Sequence, residues 1–128
     1  MVYNKEPIQV LWDMVKGLKK QIPDIYKEIM HEEENDIPAS YILLRSQLSD
    51  TTNVYGDGLS LVRNADCDII LVSKGYADDS NDLHNKNKRL IREHLKSQNI
   101  NFQEFNLGYD DGLKSTQHTF SLGVDYIG

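Results

Sequence analysis

Val54-Tyr55-Gly56-Asp57-Gly58, with the run from Leu59 to Gly75 behind it, decides how the rest of this chain is read. Two glycines flank an aspartate, so the backbone can take positive φ without a Cβ clash, and Asp-Gly is a strong hairpin signal. Ser60-Leu61-Val62-Arg63 follows, then Asp66-Cys67-Asp68-Ile69-Ile70-Leu71-Val72, closed by Lys74-Gly75. This last segment is β-branched and aliphatic, the most strand-like in the chain. Tyr41-Ile42-Leu43-Leu44-Arg45 lies upstream of the turn as its antiparallel partner. Alternation predicts one strand face of Ala65, Cys67, Ile69, Leu71 and Ser73, and another of Asp66, Asp68, Ile70, Val72 and Lys74. Cys67 therefore sits among aliphatics, where a thiol packs as a small hydrophobe rather than reacting as a thiolate.

Working outward, Ile8, Leu11, Trp12, Val15 and Leu18 follow helical spacing and predict a helix over about 6–20. Pro7 suits its first turn, Asn4 is a candidate cap, and Pro23 ends it. On this stripe Trp12 is a core anchor. Residues 25–32 fit a short edge strand better than a helix, and Glu32-Glu33-Glu34-Asn35-Asp36 is a solvated acidic loop. The sheet thus occupies about 25–75. Asp78, Asp79 and Ser80 supply N-cap candidates for a second helix over about 80–98, with Leu83, Leu90, Ile91 and Leu95 as a narrow apolar stripe. Its outer face gathers Lys86, Lys88, Arg89, Arg92 and Lys96, the one basic concentration in the chain. A C-terminal hairpin over about 100–127 follows. Its first strand is Ile100 to Leu107, its turn Gly108-Tyr109-Asp110-Asp111-Gly112, and its second strand Thr116 to Ile127. His118, Phe120, Leu122, Val124 and Tyr126 share one face of that last strand, the clearest period-2 pattern present. The expected architecture is a single α+β domain of order α-β-β-β-α-β-β. Its sheet of four or five strands is antiparallel, with a mixed sheet as the alternative, and two helices cover one face.

Composition narrows the function classes. Twenty acidic against fourteen basic side chains give 128 residues a net charge of −6, which opposes counterion-driven binding to nucleic acid or anionic membranes. One cysteine leaves no internal disulfide. With no apolar run of bilayer length and no signal-peptide core, the product is expected to be soluble and made in the cytoplasm. Asp66 and Asp68 on one strand face, with Asp57, Asp78, Asp79 and Asp82, form a weak case for a metal-dependent nuclease. Turn formation and helix capping account for Asp57 and the Asp78–Asp82 group. His31, His84, His94 and His118 are scattered, with no zinc spacing, P-loop or nucleophile elbow, and His118 reads as a satisfied core or interface residue. We therefore expect no catalysis, no metal and no cofactor.

Pro38-Ala39-Ser40-Tyr41-Ile42, the Tyr-Gly-Asp-Gly turn, Asp68-Ile69-Ile70-Leu71, a long polar helix and a final hairpin ending Gly123-Val124-Asp125-Tyr126-Ile127 run in that order. The arrangement resembles the tail terminator, or tail-completion and head–tail joining, proteins of long-tailed bacteriophages. The resemblance covers most of the chain and rests on element order plus short motifs. It implies a structural protein that forms a homohexameric ring on the major tail tube protein, ends tail polymerisation and meets a head–tail connector protein. DNA would touch such a ring only in passing through the pore, no membrane would be involved, and the protein would reside at the tail–head junction of the virion after assembly in the host cytoplasm. Within that reading the subunit-contact candidates are Tyr55 and Asp57, Lys88, Arg89 and Arg92, and Asp110 and Asp111, with acidic hairpin tips meeting a neighbour's basic helix. Another connector component, such as a head-completion or stopper protein, is the nearest alternative. A nucleic-acid-binding module on the Lys86–Lys96 face is more distant.

Overall fold

The computed structural model describes residues 2–27, 37–55 and 60–127. The tip at 56–59, which includes Asp57, and the segment 28–36, which includes His31 and the acidic loop, lie outside the described residues. The elements are β1 (Val2–Tyr3), α1 (Pro7–Val15) continued by a 3₁₀ turn (Lys16–Leu18), β2 (Ile25–Lys27), β3 (Ser40–Tyr55), β4 (Ser60–Lys74), α2 (Asp82–Ser97), β5 (Gln103–Asp110) and β6 (Ser115–Ile127). The α+β class and the expected order hold, with one two-residue strand added at the start.

The hairpin that anchors the reading is there: β3 and β4 pair antiparallel from Ser40↔Ser73 to Tyr55↔Ser60, with a register shift between Leu48 and Thr52. Ser60–Arg63 and Asp66–Val72, expected as separate pieces, form one continuous strand. β4 also pairs antiparallel with β6, from Val62↔Ile127 to Lys74↔Ser115. The sheet has six strands and is mixed rather than antiparallel throughout, because β2 runs parallel to β3 and β1 parallel to β6. A strand has two hydrogen-bonding edges, and β4 fills one edge of β6 throughout. β5 and β1 therefore share the other edge: β5 covers Ser115–Ser121 and β1 covers Asp125–Tyr126.

Both helices lie on one face, as expected. Val10, Leu11, Met14, Val15 and Leu18 from α1 and its extension, with Ile91 and Leu95 from α2, close over Ile42, Leu44, Cys67, Ile69, Leu71, Phe120, Leu122, Val124 and Tyr126. The predicted faces of β4 and β6 hold, because the pleat alternates side chains across the sheet. Cys67 is buried, and burial, reinforced by the charges of Asp68 and Asp66, pushes its thiol up to about 12. Ile70 and Val72, on the face opposite the helices, are buried as well.

Several boundaries differ from expectation. α1 has Pro7 in its first turn, but Glu6 rather than Asn4 occupies the cap position and makes no side-chain cap bond. Trp12 is only half-buried, with the Lys19 and Lys27 ammonium groups 5.5 and 5.1 Å from its ring centre. It is a rim residue whose π face meets cations. α2 is capped by Asn81, whose Oδ1 accepts from the His84 amide, while Asp78 closes a local turn with Ser80. In the last hairpin the turn lies at 111–114. Gly108 is not in it but in β5, at a register shift after Asn106 with φ +79, where the backbone bulges. The helices meet closely at Gly17: a Cβ there would lie 3.1 Å from His94 Cε1, and His94 Nε2 and Gln98 Nε2 both donate to the Met14 carbonyl.

Phe120 is a fully buried member of the core, so Phe120→Ala is expected to destabilise the fold by about 3–5 kcal/mol. Ile127→Ala, at a half-exposed strand end, should cost no more than about 0.5 kcal/mol. Urea unfolding of the two variants checks the contrast.

Candidate functional site

The helix expected to bury an apolar stripe buries a polar one over its first two turns. His84, Asn87, Ile91 and Leu95 face the sheet, whereas Leu83 is 44% exposed and Leu90 only half-buried. The sheet answers with Ser73, Thr116 and His118, all buried. Asn87 Nδ2 donates to Ser40 Oγ (2.9 Å), Ser40 Oγ lies 2.9 Å from Ser73 Oγ, and Ser73 Oγ lies 2.8 Å from His84 Nδ1. Run in one direction, each hydroxyl donates to the next acceptor and ends on the lone pair of a neutral imidazole. Burial, then the charges of Lys88 and His118, hold His84 down at about 4, so it is neutral near pH 7. A Ser–His pair invites comparison with nucleophilic catalysis, but Ser73 and His84 are each only 1% exposed. In this arrangement their hydrogen bond locks α2 onto β3 and β4.

A second group adjoins it. Arg92 grips Glu104 through Nε (2.9 Å to Oε2) and Nη2 (2.7 Å to Oε1), and His118 Nε2 donates to the same Oε1 at 2.9 Å. The fork geometry is the strong form of a charge-assisted pair. Its hydrogen bond to Arg92 in particular, with help from His118, takes the Glu104 carboxyl down to about 2 despite partial burial. His118 is thus the satisfied residue the alternation suggests. Signals for this cluster were present in the sequence as His84, Asn87 and His118 at apolar register positions, but only the fold joins them to Ser40, Ser73 and Glu104.

The contact candidates separate into spent and free groups. Arg92 is committed to Glu104. The Asp110 carboxylate accepts from the amides of Gly112 (2.8 Å) and Leu113 (3.1 Å), so it builds its own turn. Asp111 and Arg89 are exposed, and Lys88 is half-buried beside His84 and His118. Tyr55 ends β3 opposite Ser60. Asp57 lies outside the described residues. Among the described residues no acidic hairpin tip forms an ion pair with α2.

What remains open is the sheet's perimeter. β2 pairs with β3 only from Ile42 to Leu44, so β3 from Arg45 to Tyr55 has no strand on that edge among the described residues. At the opposite side, Leu122 to Val124 of β6 fall in the break between β5 and β1. A groove of about 580 Å³ opens there, with Asp66, Asp68, Asn101, Gln103, Ser121 and Gly123 among its lining residues. A second hollow of about 470 Å³ on the helix side shares Asn101, Leu122 and Gly123 with it. Asp68 accepts from Ser121 Oγ at 2.6 Å; Asp66 stands between Gln47 and Gly123 in the ladder. Among the described residues no three His, Cys, Asp or Glu side chains are grouped to hold a metal ion, and no helix is long and apolar enough to cross a membrane. Comparison with protein-family models and with curated proteins finds no match for this chain.

Two tests follow from the buried cluster. His84 titrates below the usual 6.5, so the stability that neutral His84 supports is complete above about pH 6.5 and lost as pH falls toward 4. Full protonation costs about 3 kcal/mol. Chemical unfolding across that range should show the decline in wild type and a flatter profile in His84→Gln. Glu104→Gln removes the ionic fork and should cost about 1–3 kcal/mol at pH 7, read by the same measurement. Glu104's contribution fades at lower pH than that of His84, as pH drops from the ordinary carboxylate range toward 2.

Proposed function

We propose that this protein is a structural component of phage virion assembly, a ring-forming tail terminator that caps the tail tube, ends tail polymerisation and joins the tail to the head connector. The observation that carries the reading is a pair of sheet edges with no strand partner among the described residues. The β3 edge of the long hairpin and the outer edge of β5 lie at opposite sides of one sheet. Unpaired strand edges are templates for another chain. Edges on opposite sides of a subunit suit head-to-tail contacts, which close into rings when the rotation permits. The β3–β4 ladder also continues to Tyr55↔Ser60, well beyond Ile42 and Leu44 in the core, which gives the subunit an arm able to reach a neighbour.

Electrostatics supports the same reading. A net charge of −6 leaves the surface predominantly acidic, which lets DNA pass a central pore without adhering. The buried His84 and His118 clusters are accounted for by internal hydrogen bonds, so the chemistry that remains available lies on the perimeter, where assembly contacts form.

Electron microscopy of purified tail tubes tests the proposal. Added protein should appear as extra density at one tube end only and should stop further addition of tube subunits. Tubes that bind no protein at their ends, or that continue to grow at saturating protein, would remove the tail-terminator reading.

A further inference from the structure

We infer that neighbouring copies of this chain dock front to back, with the free cations of α2, Arg89 foremost, entering the acidic groove at the break between β5 and β1. This inference rests on the ring-forming reading and specifies the surfaces that meet. Arg89, Lys86 and Lys96 are exposed on the side of α2 away from the sheet, together with Asp82 and Glu93, and none of the three cations has an ion pair among the described residues. Arg92 is excluded as the donor because Glu104 already holds it. The receiving groove offers matching chemistry. Asp66 is exposed and makes no ion pair among the described residues; Asp68, Gln103 and Asn101 add further acceptors. A planar guanidinium uses such a set better than an ammonium, because it donates in a fork to carboxylate and amide oxygens together.

The fold makes the contact directional. α2 covers the face bearing Cys67 and Ile69, whereas Asp66 and Asp68 project from the other face of the same strand. Donor and acceptor therefore lie on opposite sides of the two-layer domain, and a two-fold dimer, which apposes like faces, cannot satisfy both. The contact is heterologous, and repetition gives a ring or a filament. Asp110, suggested by its position at a hairpin tip, is a poorer acceptor because its carboxylate already caps its own turn.

Sedimentation velocity on wild type, Asp66→Lys and Arg89→Glu tests this, with circular dichroism melting to confirm that the exposed substitutions leave the fold intact. Wild type should self-associate at low salt and dissociate as salt rises. Each variant alone should lose at least about tenfold in association, as expected for disrupting a close charge pair. An equimolar mixture of the two should assemble again, since every interface then pairs Arg89 with Asp66 or Glu with Lys. Variants that assemble as wild type does, with the same salt dependence, overturn the contact and leave the ring reading standing. So does a mixture that stays monomeric while wild type assembles. Wild type that is monomeric at low salt yet still binds tube ends also overturns the contact, whereas loss of both self-association and tube-end binding removes the assembly reading itself.

Discussion

Between Val62↔Ile127 and Lys74↔Ser115, β4 and β6 pair without a shift of register, and that ladder assigns every side chain on both strands to a face. A slip by one residue would send Cys67, Ile69, Leu71, Phe120, Leu122 and Val124 to the face that carries Asp66 and Asp68, exchanging a core for carboxylates. The helices depend on it directly, since α1 and α2 have apolar partners on one face only. β3 extends the ladder on one side, and β5 and β1 divide the other edge of β6 between them. The break between β5 and β1 is thus a consequence of the same pairing. β6 is longer than β5, and the two-residue β1 does not fill the remainder.

The polar layer under α2 shows a second constraint. An apolar stripe over two helical turns would hold α2 with little regard to rotation, whereas His84, Asn87, Ser73 and Ser40 each need a particular partner. Buried polar groups are costly when left unpaired, so such a chain favours one placement of the helix strongly. Arg92 and Glu104 tie the next turn of α2 to β5 in the same way. The result fixes which flank of the helix meets solvent, and so leaves Arg89 and Lys86 without an ion pair among the described residues where Arg92 has one.

These internal commitments shape the surface that the domain presents. Charged residues that look equivalent in the sequence divide into those consumed by the fold and those left over. Asp110 is used in its turn, Asp13 is shared by Lys5 and Lys16, and Glu104 is shared by Arg92 and His118. Asp66 and Arg89 have no such obligations among the described residues and project from opposite sides of the domain. Uncommitted charge on opposite sides and strand edges without a partner among the described residues are what the proposed contact between copies would use.

Local pattern alone determined much of this molecule. The strand from Asp66 to Val72, its pairing with Tyr41–Arg45, the inward face of His118 to Tyr126, the edge strand at Ile25 and the two helices were legible, because period-2 and period-3.6 alternation records which face of an element is buried. Tertiary structure decided the rest. β1 is two residues long and carries no period; only its parallel pairing with Asp125 and Tyr126 makes it a strand. Leu83 has the helical spacing of a core residue yet is exposed, while His84 beside it is buried, because the sheet below offers Ser73 and His118 rather than an apolar surface at that point. Gly108 reads as a turn glycine and proves to be a bulge, since the tight turn is built three residues later by the Asp110 carboxylate. Hydrophobic spacing reports what must leave water. Which polar groups satisfy one another depends on distances between elements remote in sequence, and those exist only once the chain has folded.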